Sequence, residues 1–444
     1  MPPATRRVAA LGDARPDSVR RDTPAADAPT AAAEPPSPAS PRTARALNDR
    51  LALRLLQSEG PLTAGRLKEL TGLSRPTIAD LVERLRQAGL VHVVGETGTR
   101  RRGPNARLYA IVADRAHLAA VDVRLNSVGV VVADLLGTTL AAGSMPIDAA
   151  VPTAGRGVEQ RVEPSTEHAV EQAVALVEQT ARRAEASRLH SVCVGAPGLI
   201  DPVSGELRPT TGLPSWHRQF VAALQKRLPA TVLVENETNL AAMAEQKLGA
   251  ARDSDTFVMI WPGAGVGAAV VLDGRVRRGA SGGAGELGFL PVPGTGGLPS
   301  ADACEGGLHS LVGGAAVVEL AAGHGLFPDA ETEEPPSASV VRTAVATHTT
   351  DPAADRFLDE LARRLALATA AVAAVLDPGR VVLGAELGHA GGSELAARVE
   401  AHAAALSPLR TQVRATELGG EAVLRGALLA AQQAAQDALF PSGR

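Results

Sequence analysis

Ser74, Arg75, Thr77, Asp80 and Arg84 set hydroxyl, guanidinium and carboxylate groups at helical spacings within a short stretch of the chain. Donors of this kind bond phosphate oxygens, and Arg, Thr or Asp can also touch base edges in a major groove. A second basic group, Arg100, Arg101 and Arg102 before Gly103-Pro104, suits the narrow minor groove of A·T-rich DNA. The chemistry implied is recognition of a double-stranded DNA operator, with Ser74 and the arginines on phosphate and Arg75, Thr77 and Asp80 on bases.

The surrounding pattern supplies the elements that must hold these groups. Leu67, Leu70 and Leu73 recur in three-residue steps and predict a first short helix. Gly72 suits the positive φ of a tight turn, and Ser74 is a ready N-cap for a second helix. That helix is expected to bury Ile78, Leu81, Val82 and Leu85, leaving Arg75, Thr77, Asp80, Arg84 and Arg86 outward. The following VHVVGETGTRRRGP reads as a strand, a glycine-containing turn and a basic tail, as in a winged helix-turn-helix. A structural helical hairpin or a solvated basic surface would explain the spacing or the charge, but not their coincidence.

Charge is divided along the chain. Residues 42–110 carry 13 basic and 6 acidic side chains, a net of +7, while the whole chain is −4. Residues 1–41 are neutral, so −11 falls beyond Ala110. A basic module on an acidic body attracts phosphate to one face only. At 444 residues the chain should hold two or three domains. No apolar run of about 18 residues predicts a membrane span. The Pro- and Ala-rich start reads as a disordered tail to residue 42 without an export signal. Two cysteines, Cys193 and Cys304, are too few for a disulfide scaffold, and a reducing, cytoplasmic setting is expected.

The body changes period. HLAAVDVRLNSVGVVVADLLGTTLAAGSMPI predicts three strands turning near Asn126 and Gly137, followed by a helix over 167–188 and a buried strand SVCVG. A helix over 220–228, the strand TVLVE and a helix over 240–248 come next. A second strand set starts at FVMIWPGAGVGAAVVLDGRV and leads to a helix over 355–376, the strand RVVLG and a closing helix over 421–439. The same order given twice predicts two similar α/β lobes with a cleft between them. GHGLFPDAETEEPPSASVV, acidic and Pro-rich, is expected to be a surface excursion of the second lobe.

Six pieces, in this order and spacing, resemble the ROK family (repressor, open reading frame, kinase). They are Gly195-Ala196-Pro197-Gly198, Leu213-Pro214-Ser215-Trp216, Glu235-Asn236-Glu237-Thr238-Asn239, Gly263-Ala264-Gly265-Val266-Gly267, Ala284-Gly285-Glu286-Leu287-Gly288 and Val381-Val382-Leu383-Gly384. The resemblance covers residues 44–438. It implies an N-terminal winged helix-turn-helix followed by a two-lobed actin-like (ribonuclease H-like) sugar-kinase fold, in the manner of the N-acetylglucosamine and xylose repressors. The expected division is a tail over 1–42, a DNA-binding domain over 43–112, a first lobe over 113–254 closed by a helix at 420–440, and a second lobe over 255–419.

The departures matter as much as the matches. Kinase members carry an Asp-x-Gly-Gly-Thr hairpin that lets bare backbone approach nucleotide phosphates; here Asp122-Val123-Arg124-Leu125-Asn126 fills that space with side chains. The position of the family's general base is Glu237, whose extra methylene displaces the carboxylate from an aligned attack, so no catalytic residue is expected. The zinc cluster retains only Cys304, Phe289 stands where its histidine would, and a single nearby His309 does not complete a tetrahedral site; neither metal nor cofactor is expected. Carried over by position, the sugar-contacting set is Asn236, Glu237, Glu286, Phe289 and Glu305, the last one place early.

The leading expectation is a sugar-responsive repressor, a homo-oligomer that sets two winged helices on a near-palindromic operator. The alternatives are an ATP-dependent sugar kinase with an appended DNA module, and a regulator that needs no ligand.

Overall fold

The computed structural model describes residues 41–97, 106–125, 127–147, 166–208, 215–300 and 305–440. The chain opens on α1 (Pro41–Glu59), which starts inside the stretch expected to be tail and was not foreseen as a helix. β1 (Leu62–Thr63), α2 (Ala64–Thr71), α3 (Arg75–Gln87), β2 (Val91–Thr97) and β3 (Ala106–Ile111) complete a head with sheet order β1-β3-β2. The Thr63 hydroxyl accepts from the Arg66 amide to start α2, and Gly72 at φ 70° ends it by donating to the Lys68 carbonyl. Leu73 therefore lies beyond α2, and Leu70 is exposed, so the expected stripe reduces to buried Leu67. α3 buries Ile78, Leu81, Val82 and Leu85 as its spacing requires.

The first lobe follows as β4 (His117–Val123), β5 (Ser127–Asp134), β6 (Thr139–Pro146), α4 (Thr166–Arg183), β7 (Leu189–Ala196), α5 (Trp216–Arg227), β8 (Thr231–Asn236) and α6 (Glu237–Leu248). Its sheet order is β6-β5-β4-β7-β8, antiparallel through the leading hairpins and parallel from β4 onward. β4 sits centrally and reads as a nearly continuous buried run.

The second lobe repeats this plan. β9 (Phe257–Pro262), β10 (Val266–Leu272) and β11 (Arg275–Arg277) lead to α7 (His309–Val312), α8 (Gly314–Gly323), α9 (Pro336–Thr347) and α10 (Pro352–Leu376). β12 (Arg380–Leu383), α11 (Ala385–Leu406) and β13 (Gln412–Ala415) complete a sheet of order β11-β10-β9-β12-β13. The expected surface excursion is corrected in its second half. From Pro336 it is α9, with Ser337, Ser339, Val340 and Val341 buried, because the apolar spacing after the prolines suits a packed helix.

α12 (Ala422–Leu439) returns to the first lobe. The Ser191 hydroxyl donates to its Ala431 carbonyl at 2.7 Å, and the Gln432 amide donates to the Leu135 carbonyl at 3.0 Å. Gly426 allows α12 to lie against α6, since a Cβ there would come within 1.9 Å of the Leu240 carbonyl oxygen. One continuous apolar cluster runs from Leu53, Leu67 and Leu81 of the head through Leu118 and Leu135 to Phe440 after α12. Arg50 of α1 also pairs with Asp437 of α12. Among the described residues no helix is long and apolar enough to cross a membrane.

Candidate functional site

Two places gather the residues of interest: the exposed edge of α3 and the cleft between the lobes. At α3 the Ser74 hydroxyl caps the helix, accepting from the Thr77 amide at 3.3 Å and sharing a 2.8 Å hydrogen bond with the Thr77 hydroxyl. Arg75 is exposed and has no hydrogen-bond or ion-pair partner among the described residues. Asp80 is exposed, but it pairs with Arg84. Arg84 is only half-exposed, and Asp49 of α1 holds its guanidinium through Nη2 at 2.6 Å and Nε at 3.3 Å. The hydrogen bonds that Arg84 donates to Asp49 raise it above the ordinary arginine range. Arg84 thus braces α3 against α1, and Arg86 is held by Glu83. The sequence reading missed this because Asp49 sits on the unforeseen helix. Arg100, Arg101 and Arg102 fall between β2 and β3 and lie outside the described residues.

The cleft is built from turns that leave strand ends. After β4, the Arg124 amide donates to the Ser127 carbonyl at 2.9 Å, closing a tight turn. The Arg124 side chain folds back: Nε donates to Asp122 Oδ2 at 2.9 Å, Nη2 to the Gly420 carbonyl at 3.1 Å, and Nη1 lies 3.6 Å from Glu386. Glu386 opens α11 next to Ala385, whose φ of 53° is unusual for a residue with a side chain. Glu237 opens α6, three residues earlier than the spacing predicted. Its burial, together with Asp122 and Glu386 nearby, raises it to about 8. Burial also pushes Asp122 above the usual carboxylate range, against the pull of Arg124. The cavity between these groups has a volume of about 1140 Å³. Ala264 and Gly265 of the glycine loop line its far side, where the Gly263 amide donates to the Gly265 carbonyl at 2.9 Å.

This arrangement has known relatives. A model of the ROK family matches residues 139–434, well over half of the chain. The chain belongs to the ROK family. A second model, described as winged helix-turn-helix DNA-binding, matches residues 45–92. The DNA-binding transcriptional dual regulator NagC of Escherichia coli K12 is 27% identical over 253 residues, 55% of this chain and 57% of that protein. The chain therefore spans little more than half of that curated relative. A glucokinase of Halalkalibacterium halodurans is 29% identical over 259 residues, 56% of this chain and 78% of the kinase. The crystal structure of a ROK family transcriptional regulator, a homologue of the E. coli Mlc protein, superposes with a TM-score of 0.69 over 90% of this chain and 98% of that one. At 22% identity it bears on the fold alone.

The positions expected to contact a sugar have varied surroundings. Asn236 caps α6, its Oδ1 accepting from the Thr238 and Asn239 amides at 2.9 and 3.3 Å, while Nδ2 donates to the Gly198 carbonyl at 3.0 Å. Its polar atoms are thus employed in holding the turn. Glu286 reaches the surface, although the protein on its inner side desolvates the carboxyl and raises it, and Phe289 is 40% exposed. Glu305 is also exposed. Of the five expected effector residues, only Glu237 lines the cavity. Buried Glu235 was not foreseen as a site residue. It receives Arg278 Nε at 2.6 Å and Asn239 Nδ2 at 3.0 Å, tying β8 and α6 to the loop after β11. Glu386, also missed, lies two residues past the Val381-Val382-Leu383-Gly384 piece, so its position was readable. A ROK zinc site does not fit the residues described here: Phe289 offers no ligand atom, and among the described residues no three His, Cys, Asp or Glu side chains gather closely enough to hold a metal. Cys304 lies outside the described residues.

Proposed function

We propose that this ROK protein is a DNA-binding transcription repressor whose kinase-shaped body responds to a sugar-derived effector and transfers no phosphoryl group. The observation that carries the reading is the exposed Arg75 guanidinium on the outer edge of α3, without a partner among the described residues and next to a hydroxyl-capped first turn. The name of the NagC relative and the winged helix-turn-helix match support the same conclusion. A homodimer would carry two such edges to half-sites one helical turn apart or a multiple of it. Effector binding would shift the lobe angle, and the head packed on α12 would follow.

In binding titrations on the promoter DNA beside its own gene, Arg75→Ala should cost about 1–3 kcal/mol on the operator and little on random duplex. Arg101→Ala should weaken both equally and lower the salt dependence. Equal losses on operator and random DNA from both changes would overturn the reading.

The glucokinase relative favours a second reading, a sugar kinase with a DNA module. Arg124 opposes it, since its side chain stands where phosphate would need bare backbone, pinned by Asp122 and Gly420. Turnover of ATP with a panel of hexoses at about 1 per second or faster would establish that alternative.

A further inference from the structure

We propose that the interlobe cleft binds an organic cation, an amine carried on an apolar body, in the place where a kinase would hold its nucleotide. Asp122, Glu237, Glu319, Glu333, Glu334 and Glu386 all line this cavity, and Arg124 is its one basic side chain among the described residues. That single guanidinium is already divided among Asp122, Glu386 and the Gly420 carbonyl. Glu334 is held by Arg342 at 2.7 Å, whereas Glu319 and Glu333 have no partner among the described residues. A polyphosphate entering here would meet a wall of carboxyl groups, and the Arg124 guanidinium is already engaged.

The independent sign of a ligand is Asp122 itself. It is 3% exposed, and its Oδ1 is buried without a hydrogen-bond partner among the described residues while its other oxygen holds Arg124. A buried carboxylate oxygen left unpaired costs free energy that an ammonium donor would recover as a charge-assisted hydrogen bond. The opposite walls suit the rest of such a molecule. Trp261 offers an aromatic face for a cation or a ring, and Leu125, Val318 and Val423 supply apolar surface.

Calorimetry and thermal shift on the full chain would test this with tryptamine and spermidine as cations, tryptophol as the neutral twin of tryptamine, indole-3-propionate as its anionic counterpart, and ATP. We expect at least one of the cations to bind, tryptamine if it does so binding roughly tenfold tighter than tryptophol. Indole-3-propionate and ATP should produce no shift. Glu386→Gln and Glu319→Gln should each weaken the bound cation several-fold while the unliganded melting temperature stays near that of the parent. Failure of both cations to raise the melting temperature at millimolar concentration would overturn the proposal. So would equal affinity for tryptamine and tryptophol, or measurable ATP binding. The probes are read without DNA, so the result is independent of operator recognition.

Discussion

Arg75 and Arg84 show how two arginines nine positions apart on one helix do different work. Arg84 neutralises Asp49, which is only 6% exposed, so Arg84→Ala leaves a buried carboxylate without its partner. We expect that change to destabilise the chain by about 1–3 kcal/mol, read as a lower midpoint in urea with the slope unchanged. Arg75→Ala, at an exposed site without a partner among the described residues, should leave the midpoint within about 0.5 kcal/mol. Glu237 gives a pH-dependent test. Unfolded, it ionises near 4.5; folded, burial beside Asp122 and Glu386 raises it to about 8. Between those values the native state holds a proton that the unfolded state has released, so stability falls as pH rises through this window. Glu237→Gln removes that decline, and its melting temperature should gain on the parent steadily from pH 5 to about 8. A constant gap across that range would mean that Glu237 is solvated like an ordinary surface glutamate.

The elements that were legible in the sequence are those whose pattern repeats over many residues. The two strand–helix series, the long helix ending at Leu376 and the closing helix follow from buried runs and 3.6-residue periodicity. α1 escaped because its inward stripe is Ala46, Asp49, Leu53 and Leu56, in which a buried acid interrupts the apolar signal. Only a partner distant in sequence, Arg84, makes that acid intelligible. α9 was hidden by the acidic, proline-rich residues leading into it, although Pro at a helix start is favourable. The engagement of the Asn236 polar atoms in the α6 cap and the Gly198 carbonyl was illegible for a different reason: family position fixes a residue's place along the chain, not what its polar atoms bond. For α12 the contrast between its two ties to the head is testable. Phe440→Ala empties a site that is 2% exposed and should cost about 3–5 kcal/mol. Asp437→Asn breaks only a partly exposed ion pair with Arg50, and its effect should stay below about 1 kcal/mol.

Across the whole molecule α12 joins the two candidate sites. Val423 at its start lines the cleft, and Phe440 just past its end lies in the cluster that includes Leu53 and Leu81 of the head. Its 18 residues span about 27 Å, a rigid distance for a helix packed along much of its length. Coupling between cleft and head needs such an element with a preferred seat, and the contact of Gly426 with the Leu240 carbonyl defines that seat. Gly426→Ala forces the helix away from α6, which should lower stability by about 1–3 kcal/mol. It should also bring the coupling between ligand and DNA toward zero. In the parent, a ligand that alters operator affinity by some factor must have its own affinity altered by DNA through the same factor. Fluorescence anisotropy on operator DNA, with and without whichever cationic probe binds, measures that factor in both proteins. A factor that survives Gly426→Ala undiminished would show that the signal reaches the head by another route.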